Sequence, residues 1–174
     1  MATSTPTAIE SPPPPTPRQE VLDTIAAQIA AIDEMIGLAR RAIRVFDIDL
    51  SEMGWNNPAR IERLAAFLRG SRQARLDIIV HDTRYIESRC ARLTGLQRIF
   101  GDAVTIHRTG AVARGAMDPL VIVDGQHYLH RFHIEQPRAA FGILQPHAAK
   151  PLLQRFEEIW ATGEPGVHGT VLGL

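Results

Sequence analysis

From Ala42 onward, short runs of branched apolar residues alternate with stretches in which apolar residues recur at every third or fourth position. A layered α/β fold accommodates both periods in one chain. Ala42 to Leu50 (AIRVFDIDL), Leu76 to His81 (LDIIVH) and Ala103 to His107 (AVTIH) read as strands. Between them, Asn57-Pro58 opens a helix with Ile61, Leu64, Ala65 and Leu68 inward. Asp82 or Thr83 opens another, carrying Ile86, Cys90, Leu93, Leu96 and Phe100 and closed by Gly101. Leu120 to Val123, a turn at Asp124-Gly125, and Tyr128 to His133 form a predicted hairpin. Ala139 to Leu144 is a further strand, and Leu152, Leu153, Phe156, Ile159 and Trp160 mark a final helix ended by Gly163. Three strands alternating with two helices, followed by antiparallel strands, predict a mixed sheet flanked by helices.

The flanks behave differently. Residues 1–17 hold six of the twelve prolines and one charge, so a disordered Pro-rich tail is expected there. In residues 18–44, Leu22, Ile25, Ile29, Ile32, Ile36, Ala39 and Ile43 are spaced three and four apart, which predicts one amphipathic N-terminal helix. That stripe suits packing on the chain's own sheet, the ordinary outcome, and also pairing with a second copy. Residues 166–174 are read as a flexible tail.

With 174 residues, 45% hydrophobic and 22% charged, the chain has the mix of one globular domain. No apolar run reaches the ~20 residues of a membrane span, and the N-terminus lacks a secretory pattern. The single cysteine, Cys90, cannot form an internal disulfide, so a cytoplasmic location is expected. Net charge is zero. Of the 19 basic residues only Lys150 is lysine, which leaves one candidate for any lysine-dependent chemistry.

This element order, with the last helix written LLQRFEEIW, resembles a single repeat of the phospholipase D superfamily, over roughly residues 40 to 162. The resemblance implies a phospholipase D-like α/β domain, placed at 45–165. Members carry His-x-Lys-x-x-x-x-Asp followed by Gly, and Asp124-Gly125 stands behind LVIV in that place. Counting back puts the family's histidine at Met117 and its lysine at Pro119. The family's histidine attacks phosphorus and its lysine neutralises phosphate oxygens. A thioether and a proline do neither, so the resemblance implies the fold without the activity. Active sites of the superfamily join two repeats, so a lone repeat is expected to dimerise. The chain is also similar to uncharacterised bacterial domains found alone or fused to GNAT-type acetyltransferases, a group with no established activity.

In open α/β sheets ligands bind beyond the carboxyl ends of the parallel strands. That rule gathers Asp47, Asp49, Trp55, His81, Asp82 and Arg84 on one rim, joined by Arg108, Asp124, His130 and Arg131 as candidate ligand-binding residues. Asp47 and Asp49 share a parity, and acid pairs with a histidine can hold a metal or perform acid–base chemistry. The ordinary alternative is helix capping, turns and ion pairs. His127, His130 and His133 lie on an expected strand. Their spacing alternates faces, and His127 and His133 lie about 20 Å apart at strand rise, so no metal site is expected. No cofactor motif is present, and none is expected to bind.

Three functions remain: a catalytically inactive binding module that keeps an anion contact, with a homodimer or another protein as partner; a metal-dependent hydrolase or transferase using Asp47, Asp49 and His81; and an arginine-based nucleic-acid binder. No membrane partner is expected.

Overall fold

The computed structural model describes residues 11–167. Eight strands form one sheet: β1 (Arg18–Leu22), β2 (Ala42–Asp47), β3 (Arg75–Val80), β4 (Val104–Arg108), β5 (Leu120–Val123), β6 (His127–His133), β7 (Gln136–Ile143) and β8 (Glu164–Pro165). Their spatial order is β1-β7-β6-β5-β2-β3-β4-β8. β2, β3 and β4 run parallel at the centre, and every other pairing is antiparallel. Four helices, α1 (Ile25–Leu38), α2 (Pro58–Gly70), α3 (Arg84–Arg89) and α4 (Ala91–Phe100), cover one face. There Ile32, Leu64, Ile86 and Leu93 meet Val45, Leu76 and Ile78. α5 (Pro146–Ala161) covers the other face, where Phe156 and Ile159 pack on Phe46, Ile79, Leu120 and Ile122. The two clusters take alternate residues of each central strand, as a two-residue side-chain period demands.

The α/β class, the mixed sheet and its flanking helices agree with the reading of the sequence. The N-terminal segment does not. Arg18–Leu22 is an edge strand paired with β7, the helix is confined to Ile25–Leu38, and Ile43 already belongs to β2. Thr24 explains the start, because its side chain accepts the Ala27 N–H at 3.1 Å and caps the helix. The apolar stripe is therefore three elements whose residues happen to continue one spacing. Its helical part, Ile32 and Ile36, is buried in the core with Met35. A self-association surface on that stripe is excluded, since it already faces the sheet. The predicted helix through Cys90 is likewise two, because Cys90 leaves helical geometry at φ −109° and ψ 47°. The expected tails at 1–17 and 166–174 fall mostly outside the described residues.

This topology makes two opposed ends. β2, β3 and β4 finish at Asp47, Val80 and Arg108. β5 begins beside them, with Leu120 opposite both Phe46 and His130. The Asp124 turn and the connections into β2 and β3 lie at the other end. Among the described residues no helix is long and apolar enough to cross a membrane.

Candidate functional site

Asp124, the residue that the sequence pattern aligns with the motif's acid, sits in the β5–β6 turn rather than on the rim. Asp124 and Gly125 both have positive φ, at 53° and 69°, the backbone that Asp-Gly suits in a tight hairpin. The N–H groups of Arg40, Arg41 and Ala42 donate to its carboxylate at 2.8 Å each. Its oxygens thereby tie the α1–β2 connection to the hairpin, and they do not face the rim.

The two substituted motif positions lie just before β5, and strand parity gives them the face of Val121, Val123 and Arg131 rather than that of α5. Met117 is 40% exposed and lies just before β5. Its carbonyl accepts the Ile134 N–H at 2.7 Å, and that of Pro119 accepts the Arg131 N–H at 2.9 Å. Asp118, of the opposite parity, gathers two partners on the α5 side. His130 Nε2 lies 2.9 Å from Asp118 Oδ2, Arg155 Nε donates to the same oxygen at 2.7 Å, and Arg155 Nη2 donates to Oδ1. Burial alone pushes the Asp118 carboxyl up, but the hydrogen bonds from His130 and Arg155 prevail and hold it at about 2. His81 lies nearby, edge-on to Phe46 at 5.3 Å. Its Nε2 meets the Ala116 carbonyl and its Nδ1 the Thr109 hydroxyl, both at 2.6 Å, so both ring nitrogens are occupied.

The sheet separates Asp118, His130 and His81 from Asp47 and Arg131. Asp47 continues the parity of Ile43 and Val45, toward α1 and α2, and is 5% exposed. Burial, opposed only in part by a 2.6 Å hydrogen bond from the Ile48 N–H and the charge of Arg131, raises its carboxyl to about 7. Asp49 has left the strand, and its Oδ1 accepts the Ser51 N–H and hydroxyl at 2.9 and 2.7 Å. Arg131 is buried, with Nε on the Gln136 carbonyl at 2.7 Å, Nη2 on the Ile134 carbonyl and Nη1 on Glu52. Trp55 is not a rim aromatic: it is buried, with the Arg60 guanidinium 5.1 Å from its ring centre. Asp82 pairs with Arg84 on the surface, and that hydrogen bond holds the carboxyl at about 2. Arg108 lies 3.4 Å from Glu164.

The predicted rim is thus one end of the sheet split between two faces. Asp47, Asp49 and His81 do not converge, which removes the geometric basis for a shared metal or an acid–base set. Among the described residues no three His, Cys, Asp or Glu side chains form a group able to hold a metal. Asp118 and Arg155 escaped the sequence reading. An acid between the two motif positions was the available signal for the first, whereas nothing local links Arg155 to it.

The fold is that of a phospholipase D-like domain, and solved structures place it there by shape. Nuc of Salmonella typhimurium, a phospholipase D family member, matches with a TM-score of 0.59 and 16% identity over 88% of this chain and 100% of that one. NucT from Helicobacter pylori gives 0.56 and 10% identity, over 87% and 100% of the two chains. TrmBL2, an archaeal chromatin protein with a novel mode of DNA binding, gives 0.64 and 12% identity over 86% of this chain. The match spans only 55% of TrmBL2's own length. The chain belongs to the family described as a domain of unknown function, DUF7931, which matches residues 24–168. No curated protein matches it in sequence.

Proposed function

We propose that the chain is a phospholipase D-like domain that has lost hydrolysis and uses the motif-bearing rim as an interaction surface, with a second copy as partner. One observation carries this reading. Where the superfamily motif requires a nucleophile and a cation, the chain has a half-exposed methionine and a proline. The arginines that remain nearby are already paired, Arg131 with Glu52 and Arg155 with Asp118. Lys150 stands more than a turn before Arg155 on α5 and does not supply the missing charge. In place of a polar mouth, Phe132 at 45% and Val112 at 92% exposure stand beside the Asp118 cluster, and Met117 at 40% lies at the same end of the sheet. The His130 ring is edge-on to Phe132 at 5.9 Å, and a cleft of about 350 Å³ beside Val112, Ala116 and Arg155 continues the surface. Exposed apolar side chains grouped at one edge favour a protein partner. A two-fold dimer needs only one patch that fits itself.

Nucleic-acid binding at this rim, which the likeness to a chromatin protein favours, meets the pairing of Arg84, Arg108, Arg131 and Arg155 with Asp82, Glu164, Glu52 and Asp118.

Purified protein should leave bis-p-nitrophenyl phosphate unhydrolysed above background. Turnover that disappears with His130→Ala would overturn the loss of activity. For assembly, burying a few such side chains at ~1.5–3 kcal/mol each exceeds the cost of association narrowly, so the dimer should dissociate on dilution. In sedimentation velocity, Met117→Glu with Phe132→Glu should give a folded monomer. Wild type that stays monomeric at high micromolar concentration would sink the dimer.

A further inference from the structure

Five cations without carboxylate partners lie together at the opposite end from the rim. Arg40, Arg41, Arg69, Arg72 and Arg75 are all exposed there, and among the described residues none of them forms an ion pair. They come from four adjoining places: the α1–β2 connection, the last turn of α2, the α2–β3 connection and the first residue of β3. The Arg75 N–H donates to the Arg41 carbonyl at 3.0 Å, and Arg75 Nη1 donates to the Arg72 carbonyl at 3.2 Å. The carboxylate beneath them, Asp124, is held by the backbone amides of Arg40, Arg41 and Ala42. In a chain of zero net charge this is a marked segregation.

An apolar cleft of about 300 Å³ opens beside these arginines, between the C-terminal halves of α1 and α2. Ile36, Ala39, Ala66 and Phe67 line it, with Arg40 and Arg63 also on its wall. Gly37 and Gly70 keep the wall low, since a Cβ at either would meet nothing within 4 Å.

We propose that this end binds an acidic peptide segment of a protein partner, with one apolar side chain seated in the α1–α2 cleft and the flanking carboxylates held by the arginines. Guanidinium groups pair with carboxylates through two parallel hydrogen bonds, which suits arginine over lysine here. A nucleic acid would use the charge but not the cleft. Phe67 is buried in the cleft lining and offers no ring for base stacking. Past Arg63 the groove meets Asp33 and Glu34, which are paired with Arg60 and Arg18 and mark where a short segment ends. The surface is separate from the rim and does not depend on the function proposed above.

Fluorescence anisotropy with the full chain tests this. The probes are a labelled peptide with three acidic residues on each side of a central leucine, the same peptide with central glycine, and a labelled DNA duplex. The leucine peptide should bind, and central glycine should weaken binding by about tenfold or more. Arg41→Glu with Arg72→Glu should cause a loss of at least that size. Ala66→Phe, which fills the cleft from an exposed position without changing charge, should reproduce the loss seen with glycine. Met117→Glu at the rim should leave binding unchanged, which separates a failure here from a failure there. Equal affinity for the two peptides would overturn the proposal. So would duplex binding that vanishes with the two arginines, or no peptide binding at high micromolar protein.

Discussion

Replacing Asp47 by asparagine should stabilise the protein by about 2–4 kcal/mol at pH 8 and change little near pH 4. Asp47 is buried at the end of β2, and burial lifts its carboxyl from 3.8 to about 7. The native state therefore holds a proton that the unfolded chain releases near its ordinary value. Between those two values the unfolded chain gives up the proton first, so stability falls as pH rises. Above about 7 the loss is complete and the difference levels off. The rise from 3.8 to about 7 corresponds to roughly 4 kcal/mol, with the opposing pull of Arg131 and the Ile48 N–H already counted in it. Asparagine keeps an oxygen for the Ile48 N–H and carries no charge. His107 and His127 titrate the other way, since burial lowers both, so the difference between the two proteins at each pH isolates Asp47. Urea denaturation from pH 4 to 8 measures it. A constant difference across that range would show that Asp47 is charged throughout.

The elements that were legible are those whose burial repeats along the chain itself. β3 (RLDIIV), β5 (LVIV) and α5, with Phe156 and Ile159 inward, announce their faces locally. β1 does not. RQEVL is polar and mostly exposed, and it is a strand because β7 offers it an edge, from Arg18 beside Ile143 to Leu22 beside Ala139. Spacing alone then joined Leu22 and Ile43 to a helix that contains neither. The rim shows the same boundary between local and distant causes. That strands β2 to β4 end together follows from their parallel order, so Asp47, His81 and Arg108 were placed at the correct end. Which face each takes also follows from strand parity. What silences them does not: Thr109 and Ala116 bind His81, and Glu52 binds Arg131. Those pairings reach across as many as 79 positions, where no periodicity connects them.

Arg60→Met should destabilise the fold by about 3–5 kcal/mol, among the largest costs of a single polar change in this chain. A charge three residues into a helix that begins at Asn57 reads as solvent-facing, yet Arg60 is 1% exposed. Its Nε donates to Asp33 at 2.7 Å, its Nη2 to the Ile29 carbonyl at 3.0 Å, and its Nη1 to the Met53 carbonyl. One guanidinium thereby joins α1, the β2–α2 connection and α2, with the Trp55 ring beside it. Methionine preserves most of the volume but leaves the buried Met53 carbonyl without a donor, strips the Ile29 carbonyl of its second one and leaves Asp33 without its buried partner, at about 1–3 kcal/mol each. Loss of the contact with Trp55 adds to that. Asp33 is the less costly partner to change, because it stays partly exposed and Arg63 lies 3.5 Å away. Asp33→Asn should therefore cost about 1 kcal/mol. Arg60→Lys should not rescue the fold, since an ammonium does not reach three acceptors in a planar fork. Urea denaturation of the three variants gives the order directly. If Arg60→Met lies within 1 kcal/mol of wild type, Trp55 and the loop that carries it are held by apolar packing alone.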